Sequence, residues 1–159
     1  GIKAPEAEWR MNTEIMITEM TEEDCAAVWE LQKTCFSTPW SMESIREMFT
    51  TEGYLSLTAR TDDSIVGYIG IKAVLDEADI TNVAVHPQWR RRGIGQMLLT
   101  DLLGKAAGRN VKRIFLEVRV SNEAALALYS QAGFQIIDKR KNYYEKPKED
   151  AYIMVWDKL

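Results

Sequence analysis

The chain has 159 residues, 46% hydrophobic and 28% charged, the balance of a soluble globular protein. That length fits one domain with enough chain to bury a full core, and a formal charge of −4 excludes a binder that is basic overall. Two cysteines, Cys25 and Cys35, and one histidine, His86, exclude a disulfide framework, a four-cysteine zinc site and a His-rich metal cluster. No apolar run approaches ~18 residues, and the start lacks a signal-peptide pattern. The expectation is a cytoplasmic protein with no membrane, nucleic-acid or metal partner.

Residues 1–10 read as a cloning remnant or a short natural extension, and residues 11–159 as a single domain. Alternation predicts a strand over Ile15–Met20. Thr21, with Asp24 as a weak capping box, opens a helix with Val28, Leu31 and Cys35 at helical spacing. Pro39 breaks it, because the residue before proline avoids the helical region. Ser41 caps a second short helix to about Phe49, with Ile45, Met48 and Phe49 inward. Strands are predicted at 54–60, 65–74 and 78–86, with turns at 61–64 and Asp76-Glu77. A long helix over Gly93–Ala107 buries Ile94, Met97, Leu98 and Leu102 and stops at Gly108. A strand Lys112–Val118, a helix Asn122–Ala132 stopped by Gly133, and strands near 134–140 and 151–157 complete an α/β order without repeat or linker.

Charge is unevenly spread. Residues 1–60 hold 5 basic and 11 acidic side chains, a balance of −6, whereas residues 90–148 hold 13 basic and 5 acidic, a balance of +8. A local positive field in an acidic chain fits either a small anionic ligand or a solvated face. Within it, Val83-Ala84-Val85-His86-Pro87-Gln88-Trp89-Arg90-Arg91-Arg92-Gly93-Ile94-Gly95-Gln96 runs from a strand end through three arginines to two glycines that open a helix. Such a helix start offers free N–H groups and a positive dipole end, with arginines beside it: a pyrophosphate cradle. A Walker loop is absent. The dinucleotide fingerprint would need a third glycine where Leu98 stands, although Glu117 lies about 20 residues on, where a ribose-binding acid falls.

The hexapeptide Arg90-Arg91-Arg92-Gly93-Ile94-Gly95 resembles the acetyl-CoA motif of the GNAT superfamily of N-acetyltransferases. Glu117-Val118-Arg119-Val120-Ser121-Asn122-Glu123-Ala124-Ala125 and Ala127-Leu128-Tyr129-Ser130-Gln131-Ala132-Gly133-Phe134 extend the likeness. Cys35–Ser41, Asn142-Tyr143-Tyr144 and Glu149–Met154 resemble the ribosomal-protein-alanine N-acetyltransferases within that superfamily. The resemblance covers about residues 14–157. It implies a mixed central sheet of about seven strands flanked by about four helices, with splayed strands holding acetyl-CoA.

By the same resemblance, the backbone of Val83, Ala84 and Val85 would hold the pantetheine arm as an added strand. Arg90, Arg91, Arg92, Gly93, Ile94, Gly95 and Gln96 would take the pyrophosphate, and Asn122 would touch the cofactor. Glu117 would be the general base and Tyr129 the general acid. Pro39, Trp40, Tyr143 and Tyr144 would line the acceptor site. Each also has a plain reading: Tyr129 a packing aromatic, Glu117 a surface carboxylate, the arginines a solvated turn, Asn122 a helix cap. Neither cysteine has the partners of a nucleophile.

An α-amine, with a pKa of about 7.7–8.0, is partly neutral at pH 7, while a lysine near 10.4 is far less so. A carboxylate base therefore suits an α-amine, attacking the thioester directly. The implied activity is acetylation of a protein N-terminus, that of a ribosomal protein foremost. A small amine, polyamine or antibiotic as acceptor, and a non-catalytic acetyl-CoA-binding module, are the competing readings.

Overall fold

The computed structural model describes residues 14–158; the extension at 1–10 lies outside them. The strands are β1 (Met16–Glu19), β2 (Tyr54–Arg60), β3 (Ile65–Val74), β4 (Glu77–Val85), β5 (Arg113–Arg119), β6 (Gln135–Glu145) and β7 (Lys148–Asp157). The helices are α1 (Cys25–Cys35), α2 (Met42–Glu47), α3 (Ile94–Gly108) and α4 (Glu123–Gln131). All seven strands form one sheet in the order β1-β2-β3-β4-β5-β7-β6. Only β4 and β5 run parallel, so the sheet is mixed as expected.

Local sequence explains the element starts. The Thr21 N–H donates to Asp24 Oδ2 at 2.8 Å, closing the expected capping box ahead of α1. Ser41 Oγ accepts from Ser44 N–H at the head of α2, and Asn122 Oδ1 accepts from Ala125 N–H at the head of α4. Two cores sit on opposite faces of the sheet. The larger packs α3 and α4 on Leu57, Ile69, Ile80, Ile114 and Leu116. The smaller packs α1 and α2 on Tyr68 and Ala84 through Val28, Leu31 and Ile45. A Cβ at Gly67 would lie 3.1 Å from both Ile94 Cγ2 and Leu98 Cδ1, so the missing side chain lets α3 approach β3 closely.

Several expectations need correction. Met97 is 39% exposed, and the buried face of α3 is Ile94, Leu98, Leu99, Leu102 and Ala106. At 3.6 residues per turn Met97 falls to the side of that arc, away from the core. Gly108 continues α3, and the left-handed turn falls on Asn110 at φ 65. The turn before β4 is made by Leu75 at φ 60, so β4 starts at Glu77 and ends at Val85. The last two strands form a longer hairpin than alternation shows. In β6 every residue but Tyr144 is exposed, so no apolar period marks it, and Asn142 at φ 54 sits where the register shifts between Arg140 and Tyr144. Among the described residues no helix is long and apolar enough to cross a membrane.

Candidate functional site

The sheet opens in the middle. Strands β4 and β5 pair only at Glu77↔Arg113, Ala78↔Ile114 and Asp79↔Phe115, with no further strand pairing between them among the described residues. A bulge starts the divergence: Gly70 pairs with Asn82 and Ile71 with Ile80, leaving Thr81 as the extra residue. Past the bulge, alternation sends the backbone groups of Ala84 and His86 toward β3, where His86 N–H donates to Val66 O at 2.8 Å. Those of Val83 and Val85 face the gap. Of the three expected pantetheine contacts, Ala84 is therefore turned away, with its side chain in the smaller core. The Val85 carbonyl already accepts from Arg90 Nε at 3.1 Å and from Cys35 Sγ at 3.4 Å. Val83 is left as the open backbone rung.

The gap leads to the head of α3. Gly93 has φ 77, and a Cβ there would meet nothing within 4 Å. It is the N-cap, and no side chain caps this helix, unlike α2 and α4. The first intrahelical bond runs from Met97 N–H to Gly93 O, which leaves the N–H groups of Ile94, Gly95 and Gln96 pointing out of the helix end. Arg91 sits beside it at φ 65 and exposed, and Arg92 stacks over the Trp89 ring at 4.7 Å. Open space, free donors and two arginines fit a pyrophosphate. Arg90 differs from its neighbours, because it folds back onto Val85. Asn122 uses one lone pair of its side-chain oxygen on the α4 cap, and its NH₂ group remains a donor for a ligand.

Glu117 and Tyr129 lie on opposite faces of the sheet. On β5, Ile114, Leu116 and Val118 turn to the larger core, while Glu117 is exposed on the other face with Phe115 and Arg119. Tyr129 is 7% exposed in the larger core, its ring 5.6 Å from Phe134. Its hydroxyl has no hydrogen-bond partner among the described residues. Burial, and then the nearby Tyr144, push that hydroxyl well above its ordinary pKa, so it holds its proton across the neutral range.

The acceptor side gathers aromatic and acidic groups around Glu117. The Tyr143 hydroxyl donates to Glu117 Oε1 at 3.2 Å, and its ring meets Tyr144 edge-on at 5.1 Å. Burial and the Glu117 carboxylate push the Tyr144 hydroxyl up to about 12. Burial, Glu117 and more distant Asp79 also raise Tyr143. Trp40 packs on the smaller core, its N–H held by the buried Gln32 Oε1 at 3.0 Å. Pro39 and Trp40 thus edge the same face as Tyr143 and Tyr144, but no hydrogen bond joins the two pairs among the described residues.

Sequence reasoning overlooked Arg119. It donates to the carbonyls of Pro147 and Lys146 at 2.8 and 3.2 Å, pairs with Glu149 at 3.3 Å, and lies 4.2 Å over the Tyr144 ring. It ties the β6–β7 turn to β5 and so sets where Tyr144 stands. Its place two residues from Glu117, on the same strand face, was the available signal.

Residues 25–134 match the family model described as Acetyltransferase (GNAT) family. The [Ribosomal protein bS18]-alanine N-acetyltransferase of Salmonella typhimurium is 39% identical over 148 residues, covering 91% of this chain and 96% of that protein. The crystal structure of the ribosomal-protein-S18-alanine N-acetyltransferase from Escherichia coli superposes with a TM-score of 0.84 at 33% identity, over 91% of this chain and 94% of that one. Arabidopsis thaliana NAA60 in complex with acetyl-CoA, 18% identical, shares the fold at a TM-score of 0.81, over 91% and 98% of the two chains. Family model, sequence identity and superposition agree, and the chain belongs to the GNAT family of acetyltransferases.

Proposed function

We propose that this acetyltransferase moves the acetyl group of acetyl-CoA onto the α-amine of a protein N-terminus, the N-terminal alanine of ribosomal protein bS18 being its substrate. The observation that carries the reading is the gap between β4 and β5: an uncapped helix end at Gly93 leads into it, and Glu117 with Tyr143 stands at its other mouth. The names of the Salmonella and Escherichia relatives support the choice of acceptor.

Bound acetyl-CoA supplies the thioester. Val83 offers a backbone rung to its arm, and Arg91, Arg92 and the N–H groups of Ile94, Gly95 and Gln96 hold its pyrophosphate. Tyr143, Tyr144, Pro39 and Trp40 border the acceptor's path. Glu117 takes a proton from the amine, directly or through one water, as the N–C bond forms. Tyr129 gives its proton to the sulfur as the C–S bond breaks. Tyr129 is protonated at neutral pH, as a donor to the sulfur must be, and its hydroxyl is not tied to another group among the described residues.

The test is a set of acceptors: a peptide with a free N-terminal alanine, the same peptide acetyl-blocked but with an internal lysine, and a polyamine. Acetylation of the first alone is expected. Efficient turnover of the blocked peptide or the polyamine overturns the reading.

A further inference from the structure

The bulge on β4 turns two successive side chains to one face. Thr81 Oγ1 donates to Gly70 O at 3.1 Å, and a Cβ on Gly70 would lie 2.5 Å from the Tyr68 hydroxyl and 3.0 Å from Thr81 Oγ1. Thr81 and Tyr68 therefore share a face. Asn82 is the register partner of Gly70, so it shares that face too, the one that also carries Ala84 and the smaller core. Extending the parallel register from Asp79↔Phe115 through Ile80 and Leu116, with the bulge counted as two against one, sets Asn82 level with Glu117 across the gap.

The Asn82 side chain is unusual in its bonding. Its Oδ1 is buried without a donor. Among the described residues, two other buried side-chain atoms lack partners, Gln32 Nε2 and Arg60 Nε, but both belong to groups engaged elsewhere. Gln32 Oε1 holds Trp40 N–H, and Arg60 Nη2 pairs with Asp24 at 2.9 Å. Asn82 makes no side-chain hydrogen bond among the described residues. A native orphan of this kind calls for an explanation. Because nothing holds the carboxamide, it can turn its oxygen to the gap about the soft χ2 torsion without breaking any bond to the protein.

We propose that Asn82 is the acceptor-binding residue opposite Glu117: its carboxamide oxygen takes one N–H of the incoming amine while Glu117 takes the proton that is lost. Two acceptors on the two strands of the gap would fix the nitrogen between them and aim its lone pair at the thioester carbon. The proposal rests on the amine-acetylation reading above. Its distinctive consequence is that removing the carboxamide harms the acceptor and spares both the fold and CoA binding.

The test uses Asn82→Leu, which keeps the shape without the acceptor, Asn82→Ala, and Asn82→Asp, which keeps an acceptor oxygen. Melting temperature, CoA affinity by calorimetry, affinity of the alanine peptide for the CoA-saturated protein, and the acceptor kcat and KM are compared with wild type. For Asn82→Leu the melting temperature is expected to hold or rise and CoA affinity to stay within about twofold. Peptide affinity and kcat/KM are expected to drop by roughly 10- to 100-fold, the worth of one hydrogen bond to a charged or reacting group. Asn82→Asp, assayed at a pH where it is ionised, should keep most of the peptide affinity. Should Asn82→Leu not fold, Asn82→Ala carries the same expectation. Wild-type peptide affinity and KM in the Leu and Ala variants would overturn the proposal. So would an equal loss in Asn82→Asp, or a loss that comes with a lower melting temperature and weaker CoA binding. Failure of the wild-type protein to acetylate the peptide would instead refute the functional reading, which this comparison leaves separate.

Discussion

Asp24 places a carboxylate almost out of water at the start of α1, with Thr21 N–H and Arg60 as its partners. Burial pushes its pKa up, but the Thr21 hydrogen bonds and the Arg60 guanidinium outweigh it and hold the carboxyl below the usual range. A folded pKa below the unfolded one adds stability above the unfolded value of about 3.9, and that stability is lost as pH falls through the folded value. Asp24→Asn should cost about 1–3 kcal/mol at neutral pH. Urea unfolding at neutral pH and near pH 3 checks this: the difference from wild type should shrink in acid, and a constant difference would mean that shape, not charge, is what Asp24 supplies. Tyr129 and Glu117 are tested by their own atoms. Tyr129→Phe removes a hydroxyl with no protein partner and keeps the ring on Phe134, so stability should barely move while kcat falls by roughly 10²–10⁴-fold. Glu117→Gln should lose rate most at low pH, and the loss should shrink as an acceptor amine with a pKa of about 7.7–8.0 deprotonates unaided. A loss that stays constant with pH would make Glu117 a residue that positions the amine.

At the scale of elements, the loop proposed to hold the pyrophosphate depends on two left-handed backbones either side of Arg92, Arg91 at φ 65 and Gly93 at φ 77. Only glycine adopts that region freely, so Gly93→Ala should cost about 1–2 kcal/mol of stability and weaken CoA binding as well, because the added methyl stands in the space before the helix end. The double variant Arg91→Ala plus Arg92→Ala should keep the fold and lower CoA affinity, each good charge-assisted contact being worth about 1.5–3 kcal/mol. Calorimetry on the folded proteins reads both; unchanged CoA affinity in the double variant would remove the arginines from the site. These elements were legible because caps and breakers mark them: Thr21, Ser41 and Asn122 stand at helix starts, and Pro39 lies three residues past the Phe36 cap that ends α1. The β6–β7 hairpin was not legible beyond its apolar ends. Its middle, Lys139-Arg140-Lys141-Asn142, is polar on both faces, and a bulge at Asn142 resets the alternation that a period-2 reading needs.

The whole molecule brings together what no window of sequence shows. The order β4-β5-β7-β6 seats Tyr143 against Glu117 across 26 residues of chain, and the bulge at Thr81 opens the strand pair that local pattern reads as ordinary β-sheet. The Gly93 loop was visible as a motif because it is contiguous; Asn82 and Arg119 were hidden because their meaning comes from strand neighbours. That arrangement also bears on the order of chemistry. The larger core carries Tyr129 and the smaller-core face carries Glu117, so the two groups proposed to move protons stand on opposite faces of the sheet, one for each substrate. The thiol nearest the gap edge is Cys35, and its hydrogen goes to Val85 O at 3.4 Å. Burial pushes that thiol above its ordinary pKa, more than Arg90 draws it down, the opposite of what an activated cysteine nucleophile needs. Direct transfer in a ternary complex is therefore the expected path, with no acetylated protein on it. Initial rates at varied acetyl-CoA and peptide should give intersecting double-reciprocal lines, and Cys35→Ser should keep kcat within about twofold, since it removes a residue that does not take the acetyl group. Parallel lines, together with an acetyl mass on Cys35 when acetyl-CoA is supplied without acceptor, would show instead that the cysteine carries the group between the two substrates.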